Sequence, residues 1–288
     1  MQMRFILLSI LLLICLSGMA QDKPAYCIFT SEGKDIGYDK LLKKINGAEV
    51  ILFGELHNNP ICHWLELQLT QDLFAQQPDL TLGMEMFEAD DQLILDEYLA
   101  GTIEEKHLTS EAKVWSNYDT DYRPLIEFAK GHQLKVVASN IPRRYANLVY
   151  REGIQALDSL SDTAKQWIAP LPIEVNLSLP GYTGMMEMMG GHGEGKDAEN
   201  LAKAQAVKDA TMAHFILSHL NGILLHFNGT YHSQNYEGIV WYLKKARPDL
   251  EITTIHTVEQ DNIDELEEEH RNMADFIICV PADMTKTH

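Results

Sequence analysis

The chain has 288 residues, 45% of them hydrophobic, with 42 Asp and Glu against 23 Lys and Arg for a formal charge of −19. That length holds one large domain with an elaboration, or two domains. So acidic a surface repels phosphate backbones and argues against a nucleic-acid partner.

The first 20 residues read as an export signal rather than as part of the fold. Arg4 is their only charge, Phe5–Ile14 is apolar, and Gly18-Met19-Ala20 supplies small residues before a cut after Ala20. The apolar run is too short for a membrane span. Ile14 is the wrong size to precede a lipid-modified Cys15, so no membrane attachment is expected unless the chain is lipidated. Cleavage removes one positive charge and takes the formal charge from −19 to −20. Cys27, Cys62 and Cys279 remain, an odd and sparse set that reads as buried thiols rather than a disulfide framework.

Apolar runs then alternate with helical segments. Ala25–Thr30 is a first strand and Tyr38–Ile45 a helix. Val50–Phe53 is a strand buried on both faces, and Cys62–Ala75 repeats apolar residues at helical spacing. Leu80–Met86 is a strand, Asp90–Tyr98 and Tyr122–Gly131 are helices, and Leu134–Ser139 is a strand. After a break in the rhythm come the strands Ile223–Phe227, Glu251–Thr257 and Asp275–Val280, with the helix Tyr236–Lys245 between the first two; the tail after Pro281 reads as loose. This order predicts an α/β fold, a mostly parallel sheet flanked by helices. The break, 142–220, has helical segments at Arg143–Gly153, Ser161–Trp167 and Glu199–Leu220 around a Pro-, Gly- and Met-rich stretch, Pro170–Gly195. It reads as a small all-helical insertion domain between two parts of the α/β domain, 21–141 and 221–288.

The carboxyl ends of the strands carry polar residues in a pattern. Val50–Phe53 runs into Gly54-Glu55-Leu56-His57, Leu80–Met84 into Glu85, Leu134–Ser139 into Asn140, and Ile223–Phe227 into Asn228-Gly229-Thr230-Tyr231-His232. In a parallel sheet these ends share one rim, where open α/β sheets place their ligands. Glu55, His57, Glu85 and His232 suit a divalent metal ion with an open position. They suit equally an imidazole general base oriented by a carboxylate. No Gly-X-Ser-X-Gly elbow, Gly-rich phosphate loop or CxxC is present. His107 and His132 read as surface residues, and His214 and His219 as solvent or interface residues.

Six blocks in order resemble the ChaN-type haem-binding uptake proteins: GELHNNPICH from Gly54, EMFEADDQ (Glu85–Gln92), DYRPLIEFAK (Asp121–Lys130), NIPRR (Asn140–Arg144), AQAVKDATMA (Ala204–Ala213) and HFNGTYHSQNYEG (His226–Gly238). Lys208 stands where that family usually has a longer acidic or aromatic residue. The resemblance implies haem as ligand, held between the two chains of a homodimer with a tyrosine on iron. It also implies an iron-regulated place in the periplasm or cell envelope, with an outer-membrane haem receptor as a partner. A more distant similarity to erythromycin esterases and TIKI-type metalloproteases, which use the same strand ends catalytically, implies a hydrolase as the alternative, with Glu55, His57, Glu85 and His232 as the inherited site. For haem, the insertion offers Tyr182, Met185, Met189 and His192 as ligand types, with Arg143 and Arg144 to pair with propionates.

Overall fold

The computed structural model describes residues 23–190 and 195–288. The expected export signal and His192 lie outside the described residues, as does the side chain of Met189.

One sheet of eight strands organises the fold. In chain order the strands are β1 (Cys27–Thr30), β2 (Asp35–Ile36), β3 (Val50–Glu55), β4 (Leu80–Glu88), β5 (Lys135–Asn140), β6 (Ile223–Gly229), β7 (Ile252–Gln260) and β8 (Phe276–Pro281). Across the sheet the order is β2-β1-β8-β7-β3-β6-β4-β5. β8 through β5 pair in parallel, while β1 runs antiparallel to both β2 and β8. The expected mostly parallel sheet is therefore present, with an antiparallel edge added by the first strand and its tight hairpin.

The helices are α1 (Tyr38–Lys44), α2 (Pro60–Gln76), α3 (Gln92–Leu99), α4 (Glu105–Glu111), α5 (Arg123–His132), α6 (Arg143–Glu152), α7 (Asp162–Lys165), α8 (Pro180–Gly190), α9 (Gly195–His219) and α10 (Ile239–Ala246). β3 is buried along its whole length, and its alternate side chains feed two cores. Ile51 and Phe53 join Leu65, Leu69, Leu125 and Phe227 on the face covered by α2 and α5. Val50 and Leu52 join Met212, Ile216, Leu224, Ile239 and Leu243 on the opposite face, under α9 and α10. Phe53 is fully buried, so truncation to Ala removes about 3–5 kcal/mol.

Local chemistry sets the boundaries that the sequence pattern leaves loose. α2 begins at Pro60 because Asn59 accepts a bond from the Ile61 N–H and Pro needs no partner at a first helical position. α10 begins at Ile239 rather than Tyr236, because Asn235 and Tyr236 take left-handed backbone angles that no helix continues. The Pro-, Gly- and Met-rich stretch contains α8. Between β5 and β6 the described residues hold helices and no strand. The tail is not loose: the Thr287 N–H donates to the Asn58 carbonyl and its hydroxyl to Asp121, while Lys286 pairs with Glu259.

Candidate functional site: a polar rim cavity

The carboxyl ends of β3, β4, β5 and β6 open into a cavity of about 970 Å³. Its lining includes Glu55, His57, Glu85, Asn140 and His232 from the sheet side, and Arg143, Arg144, Met185 and Lys208 from the helical segment. Lys113, Trp115 and Tyr231 complete much of the wall. The expected rim residues thus meet, and three of the residues expected to contact haem meet them there.

β3 delivers the first pair. Glu55 is its last residue, aligned with Gly229 of β6. Its Oε1 accepts from the Tyr122 hydroxyl at 2.7 Å and lies 2.6 Å from His57 Nδ1. Burial alone would raise the Glu55 pKa, but Glu66, the member of the pair that keeps its proton, and then His57 hold it at about 2. A carboxylate can only accept, so His57 Nδ1 carries the hydrogen. Burial works against a charge on His57 and the Glu55 bond works for it, leaving its pKa raised. The other ring nitrogen, Nε2, has no hydrogen-bond partner among the described residues. It sits so close to Gly229 that a Cβ there would lie 2.6 Å away. Trp115 stands edge-on to the His57 ring at 4.8 Å.

β4 delivers the second pair through an irregularity. Its register against β5 shifts between Met84 and Glu88, a bulge that re-aims side chains at the rim. Glu85 therefore lies within a strand that runs on to Glu88, not past its end. Its Oε2 accepts from the Gly229 N–H at 2.8 Å and its Oε1 lies 3.2 Å from His232 Nε2. His232 Nδ1 meets Asp209 Oδ1 at 2.5 Å, and Asp209 Oδ2 accepts from the Tyr182 hydroxyl at 2.6 Å. With carboxylates on both ring nitrogens, His232 is an imidazolium. Burial would lower its pKa, but Glu85 and Asp209 push it up to about 10. Glu85 is held well below the usual carboxylate range, its pairing with His232 outweighing burial. For Asp209 burial wins over the same neighbour, and its pKa is raised.

Two expectations are corrected here. Glu55, His57, Glu85 and His232 do not converge as metal ligands among the described residues. Both ring nitrogens of His232 face carboxylates, Asp209 on one side and Glu85 on the other. Tyr182 does not reach the cavity: it is buried, its hydroxyl is spent on Asp209, and burial followed by the Asp209 charge drives its pKa far up. The tyrosine that does line the cavity is Tyr231, whose hydroxyl donates to the Gly181 carbonyl.

The cations divide into two sorts. Arg144 is paired with Asp90 at 2.6 Å, and Lys113 with Glu88, Asp90 and Asp91. Arg143 and Lys208 line the cavity and make no ion pair among the described residues.

Behind the rim lies a second, fully buried group that sequence reading left unassigned. His63 and Glu66 stand one helical turn apart on α2 and face Glu55. Burial and then the Glu55 charge push the Glu66 pKa well up. The i, i+3 spacing of His63 and Glu66 was the signal that could have found them.

A sequence model described as haem-binding uptake, Tiki superfamily, ChaN matches residues 41–243. The chain belongs to the ChaN family. Among solved structures, ChaN of Campylobacter jejuni, described as binding haem cofacially, superposes with a TM-score of 0.67 at 17% identity, covering 91% of this chain and 99% of that one. An erythromycin esterase, EreC, in its open conformation gives 0.52 at 11% identity over 88% of this chain and 97% of that one. A succinoglycan biosynthesis protein gives 0.50 at 12% identity over 88% and 93%. These likenesses show the fold. No curated protein matches in sequence. Family membership makes this ChaN relative a haem-binding protein and agrees with the six sequence blocks.

Proposed function

We propose that this ChaN-family chain binds haem in the rim cavity, with His57 Nε2 as the nitrogen presented to the iron. One observation carries the reading. His57, on the cavity wall, donates Nδ1–H to a buried carboxylate and leaves Nε2 without a partner beside Gly229, another lining residue. A histidine ligand of a metal is normally oriented in this way, its second nitrogen bonded to a carboxylate that fixes the tautomer. The cavity fits the group in other respects. Its size lies in the range of cofactor pockets. Arg143 and Lys208 supply two unengaged cations for two propionates, and Trp115 and Met185 supply apolar and polarisable wall. When bound, haem supplies an iron centre for carriage; the chain's residues hold, orient and shield it.

We further take the chain to be exported and to act in uptake or storage of haem in the periplasm or cell envelope, with 142–220 as a helical insertion domain. The supporting features are the signal-like first 20 residues and the haem-uptake family match. Haem is taken to lie between two copies of the chain. The exposed Met188 on α8, beside the cavity-lining Met185, gives such a copy an apolar edge to meet. A receptor in the outer membrane remains a partner of the same proposal.

The hydrolase reading keeps one specific support, the Glu55–His57 pair, which is also a general-base arrangement. Haemin titration of the mature chain separates the two. A saturable Soret change with a shift to dimer in gel filtration supports haem carriage. Ester or peptide turnover lost in His57→Ala, without a Soret change in the parent, supports the hydrolase instead.

A further inference from the structure

We propose that Glu55, His63 and Glu66 form a divalent-cation site beneath the rim cavity, for an ion of the zinc or manganese class. This site does not depend on the haem reading.

The donor atoms are already spaced for an ion. One atom from each residue lies within 4.8 Å of the others. His63 Nδ1 is 3.3 Å from Glu66 Oε2 and 3.7 Å from Glu55 Oε2. Ligands placed about 2.1 Å from a tetrahedral ion stand roughly 3.4 Å apart, so both separations suit one ion between them. One nitrogen and two carboxylate oxygens form a borderline-hard set, which favours zinc and manganese over soft ions.

Two of the oxygens have nothing else to do. Glu55 Oε2 and Glu66 Oε1 are buried and have no hydrogen-bond partner. A buried oxygen without a partner carries a full desolvation penalty, and an ion removes it. Glu55, Glu66 and Asp121 are three neighbouring buried carboxylates, yet no Lys or Arg nitrogen comes within ion-pair distance of them among the described residues. The rim group Glu88, Asp90 and Asp91 differs, because Lys113 Nζ sits among all three.

An outer layer is built around the three ligands, as metal sites require. His63 Nε2 lies 3.3 Å from Asp121 Oδ2 and 3.2 Å from the His57 carbonyl, which places its hydrogen on Nε2 and frees the Nδ1 lone pair. Asp121 Oδ2 is itself held by Asn117 at 2.7 Å and Thr287 at 2.8 Å. Glu55 Oε1 is held by His57 and Tyr122, leaving Oε2 for the ion. The ion thereby fixes Glu55, and through it the orientation of His57.

The test uses the whole mature chain without haem. Protein stripped with a chelator is loaded separately with zinc, manganese and cobalt, passed through gel filtration and analysed for metal. About one ion retained per chain is expected for zinc or manganese, with a higher melting temperature than in chelator. Glu66→Gln, checked for folding by circular dichroism, loses the retained ion, and Asp121→Asn weakens it by about 10–100-fold. If Glu66→Gln does not fold, the Asp121→Asn affinity decides. His57→Ala, which removes one of the two partners of Glu55 Oε1, weakens the ion no more than Asp121→Asn does. No retention and no thermal shift with any of the three metals overturns the proposal. So does an ion kept in Glu66→Gln and lost in His57→Ala, which would move it to the rim. Haem binding is read separately, so failure of one reading leaves the other standing.

Discussion

Glu85→Gln separates the His232 imidazolium from one of its two carboxylate partners while keeping the shape of the side chain. A pKa moved from the ordinary 6.5 to about 10 corresponds to about 5 kcal/mol of preference for the imidazolium in the folded chain. That preference is divided between Glu85 and Asp209, so Glu85→Gln costs about 2–3 kcal/mol. The pH dependence has a definite sign. A histidine whose folded pKa is raised stabilises fully below its unfolded value, near 6.5, and loses that contribution as pH rises toward about 10. Urea unfolding followed by tryptophan fluorescence therefore shows the largest gap between parent and Glu85→Gln near pH 6.5. The gap narrows or inverts by about pH 10.5, where Glu85 would be a buried carboxylate facing a neutral ring. A gap under about 0.5 kcal/mol at pH 6.5, or an unchanging gap across this range, would refute the reasoning.

Other outcomes follow from the same geometry. Gly229→Ala places a Cβ 2.6 Å from His57 Nε2 and turns the imidazole away from the cavity, so haemin affinity falls in a Soret titration while the fold is retained. Gly238→Ala sets a Cβ 2.4 Å from the His232 carbonyl at a φ of +53°, and is expected to lower stability by about 1–3 kcal/mol or more in urea unfolding. Tyr182→Phe leaves Asp209 Oδ2 buried without its donor and costs about 1–3 kcal/mol, yet the haem spectrum stays as in the parent; a changed spectrum would restore Tyr182 as a ligand. Replacing Arg143 or Lys208 by Ala weakens haemin binding by roughly tenfold each, read by titration, if each pairs with one propionate.

How much of this was legible in sequence depends on the distance over which the deciding contact acts. β3 announced itself because burial on both faces of a parallel sheet leaves an uninterrupted apolar run, Val50–Phe53, ended by Gly54-Glu55. The rim was legible for the same reason, since parallel strands put Glu55, Glu85, Asn140 and His232 at one edge. The partner of His232 was not. Asp209 sits on α9, which the sequence marks only as a long helix, and no local spacing reveals that it faces β6. The partner of Tyr182 was hidden likewise: residue type suggests a haem ligand, but a contact between helices gives its hydroxyl to Asp209. The bulge in β4 and the left-handed turn before α10 are backbone decisions made by tertiary packing, which hydrophobic periodicity does not encode. Lys208, noticed as a departure from the family, proves to line the cavity.

The most direct measurement is the absorption spectrum of ferric haem on His57→Ala, before and after adding free imidazole. If His57 Nε2 meets the iron, the parent's Soret band is shifted or lost in the variant, and imidazole entering the vacated space brings it back. An unchanged spectrum and affinity in His57→Ala would contradict the account and place the iron elsewhere in the cavity.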